Sequence, residues 1–224
     1  MTTTPVPVTV ELHEYLQAHS TRPDPVAREL IEYTAGLGPV AGMQTAPEQS
    51  LLLTILVQAL GARKAVEVGT FTGLSSLAIA RGLAPGGTLL CCDVSEEWTA
   101  RARQAWAAAG VADRIELRIA PAIETLRALP PDADLDFAFV DADKANYPLY
   151  YAELITRMRP GGLIAVDNVF QHGDVVDSRR GQAVADGREE VGVVHGFNGF
   201  LAADDRIDVV MLPIADGLTI ARKR

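Results

Sequence analysis

The chain is poor in what several function classes require. It has two cysteines and four histidines in 224 residues. Cys91 and Cys92 are neighbours on one expected strand, so their side chains leave opposite faces and an internal disulfide is not expected. Small buried residues of a central strand are. His13, His19 and His195 show no ligand spacing. No apolar run approaches the ~20 residues needed to span a bilayer. Residues 1–10 have neither a basic start nor a long apolar core, so no secretory leader is expected and the cytoplasm is the expected location. Basic residues are also scarce, 20 Lys plus Arg against 29 Asp plus Glu, for a net charge of −9. They are scattered, with short clusters only at Arg179-Arg180 and Arg222-Lys223-Arg224, where a nucleic-acid binder shows a basic face. No nucleic-acid partner is expected. The fingerprint G-x-G-x-x-G is missing, which disfavours a dinucleotide-dependent oxidoreductase.

What is present suffices for one large domain with an extension. The spacing predicts helices over 10–18 and 26–35, an N-terminal helical extension (residues 1–42) able to cover a cleft or a partner subunit, with 36–43 a turn-rich connection. Thr45-Ala46-Pro47-Glu48 is a helix start, with a capping residue, an early proline and an acidic first turn. That helix runs to Leu60, and Gly61 ends it. Strands at 64–68, 87–92, 114–118, 135–140 and 161–166 then alternate with helices at 73–82, 95–109, 121–128 and 146–158. Such alternation means βαβ units and a parallel sheet covered on both faces. Residues 169–186 read as a polar functional loop. A helix near 187–203 follows, and strands 207–212 and 218–222 close the chain as a hairpin. The main domain, 43–224, is thus expected to be α/β, with a seven-stranded, mostly parallel sheet and an antiparallel C-terminal hairpin.

The centre of the chain is Val66-Glu67-Val68-Gly69-Thr70-Phe71-Thr72-Gly73. Residues 62–68 suit a buried strand and 74–80 have helical spacing, so two glycines sit in a strand-to-helix turn. Glycine permits φ > 0 and the close approach of a ligand. The free N–H groups of a helix start attract electron-rich groups. A carboxylate at Glu67 would repel a pyrophosphate, and it suits a cofactor with a positive charge and no phosphate. Asp93 ends the next apolar run, 24 residues after Gly69, near the spacing at which an acidic side chain meets ribose hydroxyls. The pattern Glu67-x-Gly69-x-x-x-Gly73 resembles motif I of S-adenosylmethionine-dependent methyltransferases.

Phe139-Val140-Asp141-Ala142-Asp143-Lys144 ends the fourth strand and Val166-Asp167-Asn168 the fifth. Ligands of doubly wound sheets bind outside the carboxyl ends of strands, near the switch point. Asp141, Asp167 and Asn168 can therefore converge beside the glycine turn. Singly, each is at home as a helix cap or loop former. Together they are three oxygen donors without His or Cys, a set that suits a hard divalent cation: Mg²⁺, with Mn²⁺ or Ca²⁺ as substitutes.

Asp141-Ala142-Asp143-Lys144-Ala145-Asn146-Tyr147 and Gly161-Gly162-Leu163-Ile164-Ala165-Val166-Asp167-Asn168 are similar to the caffeoyl-CoA O-methyltransferase family, cation-dependent class I methyltransferases that act on catechols. The similarity runs from about Met43 to the C-terminus and includes Cys92-Asp93-Val94-Ser95-Glu96-Glu97-Trp98. The resemblance implies the Rossmann-like class I methyltransferase fold, S-adenosylmethionine as cofactor, a homodimer, and methylation of one hydroxyl of a catechol. It implies Asp141, Asp167 and Asn168 as metal ligands. Glu67, Gly69, Thr70, Ser75, Asp93, Ala122 and Asp143 become cofactor contacts, joined by Thr45 from the preceding helix start. Among these, Asp93 takes the ribose, Ala122 lies by the adenine and Asp143 faces the methionine end.

The chemistry then falls to Asp141 and Lys144. A phenol, with a pKa of about 10, is a weak nucleophile until a bound cation stabilises its oxyanion. Lys144 either accepts the phenolic proton or pairs with Asp141 or Asp143. Trp98 either flanks the adenine or packs in a helix-face core. The N-terminal 40 residues match the family poorly, and Tyr150 stands where the plant enzymes carry an Asn against the substrate. A smaller catechol therefore competes with a CoA thioester as acceptor. Tyr150, Phe170 and His172 are the candidate acceptor contacts, with His172 equally readable as a surface loop residue. The alternatives are a methyltransferase for another metal-chelating oxygen acceptor and a non-catalytic S-adenosylmethionine-binding protein. The second has no use for an intact metal set and Lys144.

Overall fold

The computed structural model describes residues 6–132 and 134–224. Helices α1 (Val10–Ala18), α2 (Pro25–Ala35) and α3 (Pro47–Leu60) come first. An alternation follows: β1 (Lys64–Val68), α4 (Leu74–Gly82), β2 (Thr88–Asp93), α5 (Glu96–Ala108), β3 (Ile115–Ile119), α6 (Ala122–Ala128), β4 (Leu135–Val140), α7 (Tyr147–Arg157) and β5 (Met158–Asp167). Helices α8 (Asp177–Ala185) and α9 (Glu189–Ala203) and strands β6 (Ile207–Leu212) and β7 (Leu218–Lys223) complete the chain. The strands form one sheet in the order β3-β2-β1-β4-β5-β7-β6. Strands β1 to β5 are parallel, and β7 runs antiparallel between β5 and β6. This is the expected Rossmann-like sheet with its closing hairpin.

Each face of the sheet is apolar and each is covered. Leu30, Leu53, Leu77 and Trp106 from α2 to α5 pack on one face, against Leu89, Cys91 and Phe137. Leu126, Tyr147, Leu154 and Phe197 from α6, α7 and α9 pack on the other, against Val66, Cys92 and Val140. The two cysteines part to opposite cores, as the period of a strand requires, and both are free. Helix α2 is capped by Asp24, whose Oδ1 accepts the N–H groups of Val26 and Ala27. Its Ala27 and Leu30 join the same core as α3 to α5, whereas α1 buries none of its residues. Among the described residues no helix is long and apolar enough to cross a membrane.

Three local expectations are corrected. Residues 169–186 are not a bare loop: they hold a 3₁₀ turn at Gln171–Gly173 and the nine-residue helix α8. That helix buries only Ala183, so it has no apolar stripe for periodicity to detect. Strand β5 begins at Met158, ahead of Pro160-Gly161-Gly162, because pairing of Leu135 with Met158 and a register shift before Phe137 absorb the apparent turn. Thr45 is not the cap of α3. The N-cap is Ala46, with no side-chain bond, and Thr45 is buried just outside the helix.

Candidate active site

A cavity of about 820 Å³ opens at the carboxyl ends of β1, β2, β4 and β5. It straddles the point where strand order reverses, between β1 and β4. The turn after β1 forms its floor. Asp93, at the end of β2, holds that turn: Oδ2 accepts the N–H groups of Thr70 (2.9 Å) and Phe71 (2.8 Å), and Oδ1 accepts that of Ser95 (2.8 Å). Phe71 is thereby kept at φ 50°, a left-handed conformation uncommon outside glycine. Gly69 has φ 91°, and a Cβ there would lie 2.0 Å from the carbonyl oxygen of Asp141. The missing side chain serves the approach of β1 to β4 more than that of a ligand. Gly73 similarly makes room for Ala102 on α5.

Glu67 is wholly buried beneath this turn and does not line the cavity. Its Oε2 accepts the Thr70 hydroxyl (2.9 Å), and its Oε1 has no hydrogen-bond partner among the described residues. Burial pushes the carboxyl up from 4.5 to about 7, against the pull of the Ser75 and Thr70 hydroxyls. Below pH 4.5 the folded and unfolded chains both carry this proton. Between 4.5 and about 7 the unfolded chain ionises first, so stability falls as pH rises; above 7 the loss is complete. Between pH 4.5 and 8, urea unfolding is expected to show a pH-dependent loss larger by about 3 kcal/mol in the wild type than in Glu67→Gln. Parallel pH dependence in the two proteins would refute it.

Beside the turn, at the ends of β4 and β5, Lys144 Nζ donates to Asp141 Oδ1 (3.0 Å) and to Asn168 Oδ1 (2.6 Å). Asp167 beside them is 3% exposed, and no ion pair reaches it among the described residues. Burial and then the Asp141 charge push it up to about 7. Asn168 sits at φ 55°, which Asn tolerates. Its N–H donates to Asp167 Oδ1 (2.7 Å), and Gln171 Nε2 donates to its carbonyl oxygen (2.8 Å). The Tyr147 hydroxyl secures the Asp167 carbonyl (3.1 Å). Two carboxylates and an amide oxygen thus face one ammonium, one negative charge too many when all are ionised. No cluster of three His, Cys, Asp or Glu suited to a metal occurs among the described residues. The oxygen set with its excess charge fits a hard divalent cation.

The sequence matches the profile of the O-methyltransferase family over residues 17–224. The chain belongs to that family. It is 39% identical over 212 residues to "Probable caffeoyl-CoA O-methyltransferase 1" of Dictyostelium discoideum, covering 93% of this chain and 90% of that one. Its fold is similar to the SAH-bound methyltransferase PaMTH1 of Podospora anserina, with TM-score 0.86, 25% identity and all of both chains covered. It is also similar to the O-methyltransferase of Bacillus cereus in complex with SAH, with TM-score 0.82 and 29% identity over 96% of this chain and 97% of that one. The chain is therefore an S-adenosylmethionine-dependent O-methyltransferase of the caffeoyl-CoA type.

In this O-methyltransferase, Thr45, Gly69, Thr70, Ser75, Asp93 and Ala122 line the cavity together with Asp141, Asp143, Lys144, Asp167 and Asn168. Of the two pairings open to Lys144, the folded chain makes the one with Asp141 and adds Asn168. Asp143 instead accepts from the Tyr150 hydroxyl (2.5 Å) and the Asn146 amide. Burial and the Asp143 contact raise the Tyr150 phenol, which stays a neutral donor. Tyr150 and His172 reach the cavity, the His172 ring 83% exposed at its rim. Phe170 does not: its ring packs on Gly217, where a Cβ would come within 2.5 Å of it. Trp98 lines the cavity and meets Phe71 edge-on at 5.0 Å. Sequence reasoning missed Gln44, Gln49 and Glu190, which also line it. The one available signal was Gln49, a polar residue on the buried stripe it shares with Leu53 and Val57.

Proposed function

We propose that this O-methyltransferase methylates one hydroxyl of a catechol-type small molecule, with a divalent cation, Mg²⁺ first, held by Asp141, Asp167 and Asn168. One observation carries the reading: the Lys144 bridge between Asp141 and Asn168, beside buried Asp167, shares a cavity with the glycine turn and Asp93. S-Adenosylmethionine supplies a methyl group on a sulfonium, and the cation supplies stabilisation for a phenolate oxygen. The remaining work is done by the chain. Gly69, Thr70 and Asp93 face the nucleoside, Ala122 the adenine and Asp143 the methionine end. Thr45 and Ser75 close the wall. Glu67 acts from below through the Thr70 hydroxyl. Asp141, Asp167 and Asn168 would hold the cation, which would favour two vicinal oxygens by chelation, and Tyr150 and His172 border the acceptor. Lys144, when its Nζ is the neutral amine, receives the phenolic proton and becomes the ammonium that pairs with Asp141 and Asn168. Holding oxygen, methyl carbon and sulfur in line supplies the proximity term.

Lys144→Ala is expected to lower turnover by about 10²-fold or more while leaving S-adenosylhomocysteine affinity within about threefold. Unchanged turnover would remove Lys144 from the chemistry.

The charge of the cavity bears on the acceptor. Among the described residues Lys144 is its only Lys or Arg, against the carboxylates of Asp93, Asp141, Asp143, Asp167, Glu190 and Asp216. Apart from Lys144, which Asp141 and Asn168 engage, the phosphates of a CoA thioester meet no lysine or arginine among the described lining residues, so the reading favours a small, uncharged or cationic catechol. Incubation with S-adenosylmethionine and a panel of catechols, catechol-CoA thioesters and monophenols, with Mg²⁺ or EDTA, is read by mass spectrometry. Catechol methylation lost in EDTA and restored by Mg²⁺ is the expected result, with kcat/KM for free catechols about tenfold or more above the thioesters. Methylation that survives metal removal would overturn the cation mechanism; a preference for thioesters would overturn the acceptor class.

We read residues 1–42 as an extension of the 43–224 domain that takes part in a homodimer, because α1 exposes Val10, Tyr15 and Leu16 and buries nothing. Light scattering on the purified protein tests this. Two free cysteines suit a reducing compartment, the cytoplasm.

A further inference from the structure

Gln49 is a polar residue at a position where its helix asks for an apolar one. Gln49, Leu53 and Val57 follow at intervals of four along the buried face of α3. Gln49 is wholly buried, and neither its Nε2 nor its Oε1 has a hydrogen-bond partner among the described residues. A buried amide unpaired at both ends is costly, and the folded protein keeps one here, on the wall of the cavity. Asp167 is its neighbour: the amide is close enough to favour the ionised carboxylate, though it does not reach hydrogen-bond geometry. Asp167 Oδ1 is already taken by the Asn168 N–H, which leaves Oδ2 for Gln49 and the cation. A carboxamide also suits this place because it adds no third negative charge to Asp141 and Asp167. Its donor end matches a carboxylate, and its acceptor end matches an O–H group entering the cavity.

We propose that Gln49 is a positioning residue: its Nε2–H orients the Asp167 carboxylate toward the cation, and its Oε1 accepts a hydrogen bond from the second hydroxyl of the catechol. The inference rests on the cation reading above. Partners of this kind beside a metal ligand typically change metal affinity by about 10–100-fold when removed.

The test is a Mn²⁺ titration followed by electron paramagnetic resonance, on the full chain saturated with S-adenosylhomocysteine, for wild type, Gln49→Met and Gln49→Glu. Gln49→Met keeps the shape of the side chain and removes both hydrogen-bonding ends. It is expected to bind S-adenosylhomocysteine within about twofold of wild type and Mn²⁺ about tenfold more weakly, with KM for catechol raised more than kcat is lowered. Gln49→Glu sets a carboxylate beside Asp167 and is expected to tighten Mn²⁺ binding. Wild type that binds no Mn²⁺ would sink the cation reading and this inference with it. Wild type and Gln49→Met binding Mn²⁺ equally would overturn the inference alone. If Gln49→Met loses S-adenosylhomocysteine binding through misfolding, the Gln49→Glu titration decides, and unchanged Mn²⁺ affinity there overturns the proposal.

Discussion

Replacing Asp141 with Ala is expected to lower kcat/KM for catechol by about 10³-fold or more, with S-adenosylhomocysteine affinity changed less than about threefold. The carboxylate and the cofactor turn share a wall but not a function. The Asp141 N–H is bonded to the Val68 carbonyl (2.8 Å), so the backbone at the end of β4 stays in place when the side chain is cut. What goes is one of two carboxylates, together with one of the two bonds that aim Lys144. Lys144 is then left to Asn168, and Asp167 loses the neighbouring charge that helped to raise it. On the proposed mechanism the change removes a cation donor and misdirects the proton acceptor at once, which is why it is expected to exceed the effect of Lys144→Ala. Asp141→Asn separates charge from shape and should lose nearly as much. Steady-state kinetics and calorimetric titration of S-adenosylhomocysteine check both variants. A loss under tenfold, or cofactor affinity falling in step with activity, would remove Asp141 from the chemistry.

Gly69→Ala is expected to carry the largest loss of stability of the Gly→Ala changes, about 3 kcal/mol or more, and to abolish cofactor binding. Two independent conflicts meet there. The backbone sits at φ 91°, which an L side chain rarely adopts, and the new Cβ would lie 2.0 Å from the carbonyl oxygen and 2.7 Å from the carbonyl carbon of Asp141. Backbone cannot step aside as a side-chain tip can, so β1 and β4 must separate at the end where the cavity opens. The Asp93 bonds to Thr70 and Phe71 would go with the turn. Gly181→Ala is the control: that position has no positive φ, nothing within 4 Å of a Cβ and a place in helix α8, so a gain of about 0.5–1 kcal/mol is expected. Urea unfolding and S-adenosylhomocysteine titration decide. Normal cofactor binding by Gly69→Ala would show that the close approach of the two strand ends is wrong.

These two residues mark the boundary between what the linear chain reveals and what it hides. The alternation of β1 to β5 with helices was readable because each strand is a short apolar run closed by turn residues, and because helices buried on one side repeat their apolar positions. The closing hairpin was readable from the Gly-containing loop between two apolar segments. Asp141, Asp167 and Asn168 were readable as a group because each ends an apolar run, and parallel strands carry their carboxyl ends to one edge of the sheet. Separation of Cys91 from Cys92 follows from the period of a strand.

Periodicity reports the face an element buries and says nothing about the direction a side chain takes beyond a strand end, nor about which distant segment it meets. Lys144 had Asp141 and Asp143 within reach, and only the folded turn aims it at Asp141 and Asn168. Phe170 looked free to enter the cavity until the β6–β7 loop placed Gly217 against its ring. Helix α8 has no apolar stripe and is held by neighbours its own residues do not announce. Glu67 and Gln49 are polar residues on buried positions, and part of what surrounds them, Cys91 and Phe139 beside Glu67 and Asp167 beside Gln49, comes from segments far away in the chain. By itself the sequence determined the layers of this protein, the edge at which its site lies and the residue types that crowd it. The pairing of those residues, and the burial that sets their protonation, were decided by tertiary structure, because both depend on contacts between strands and helices that no local pattern encodes.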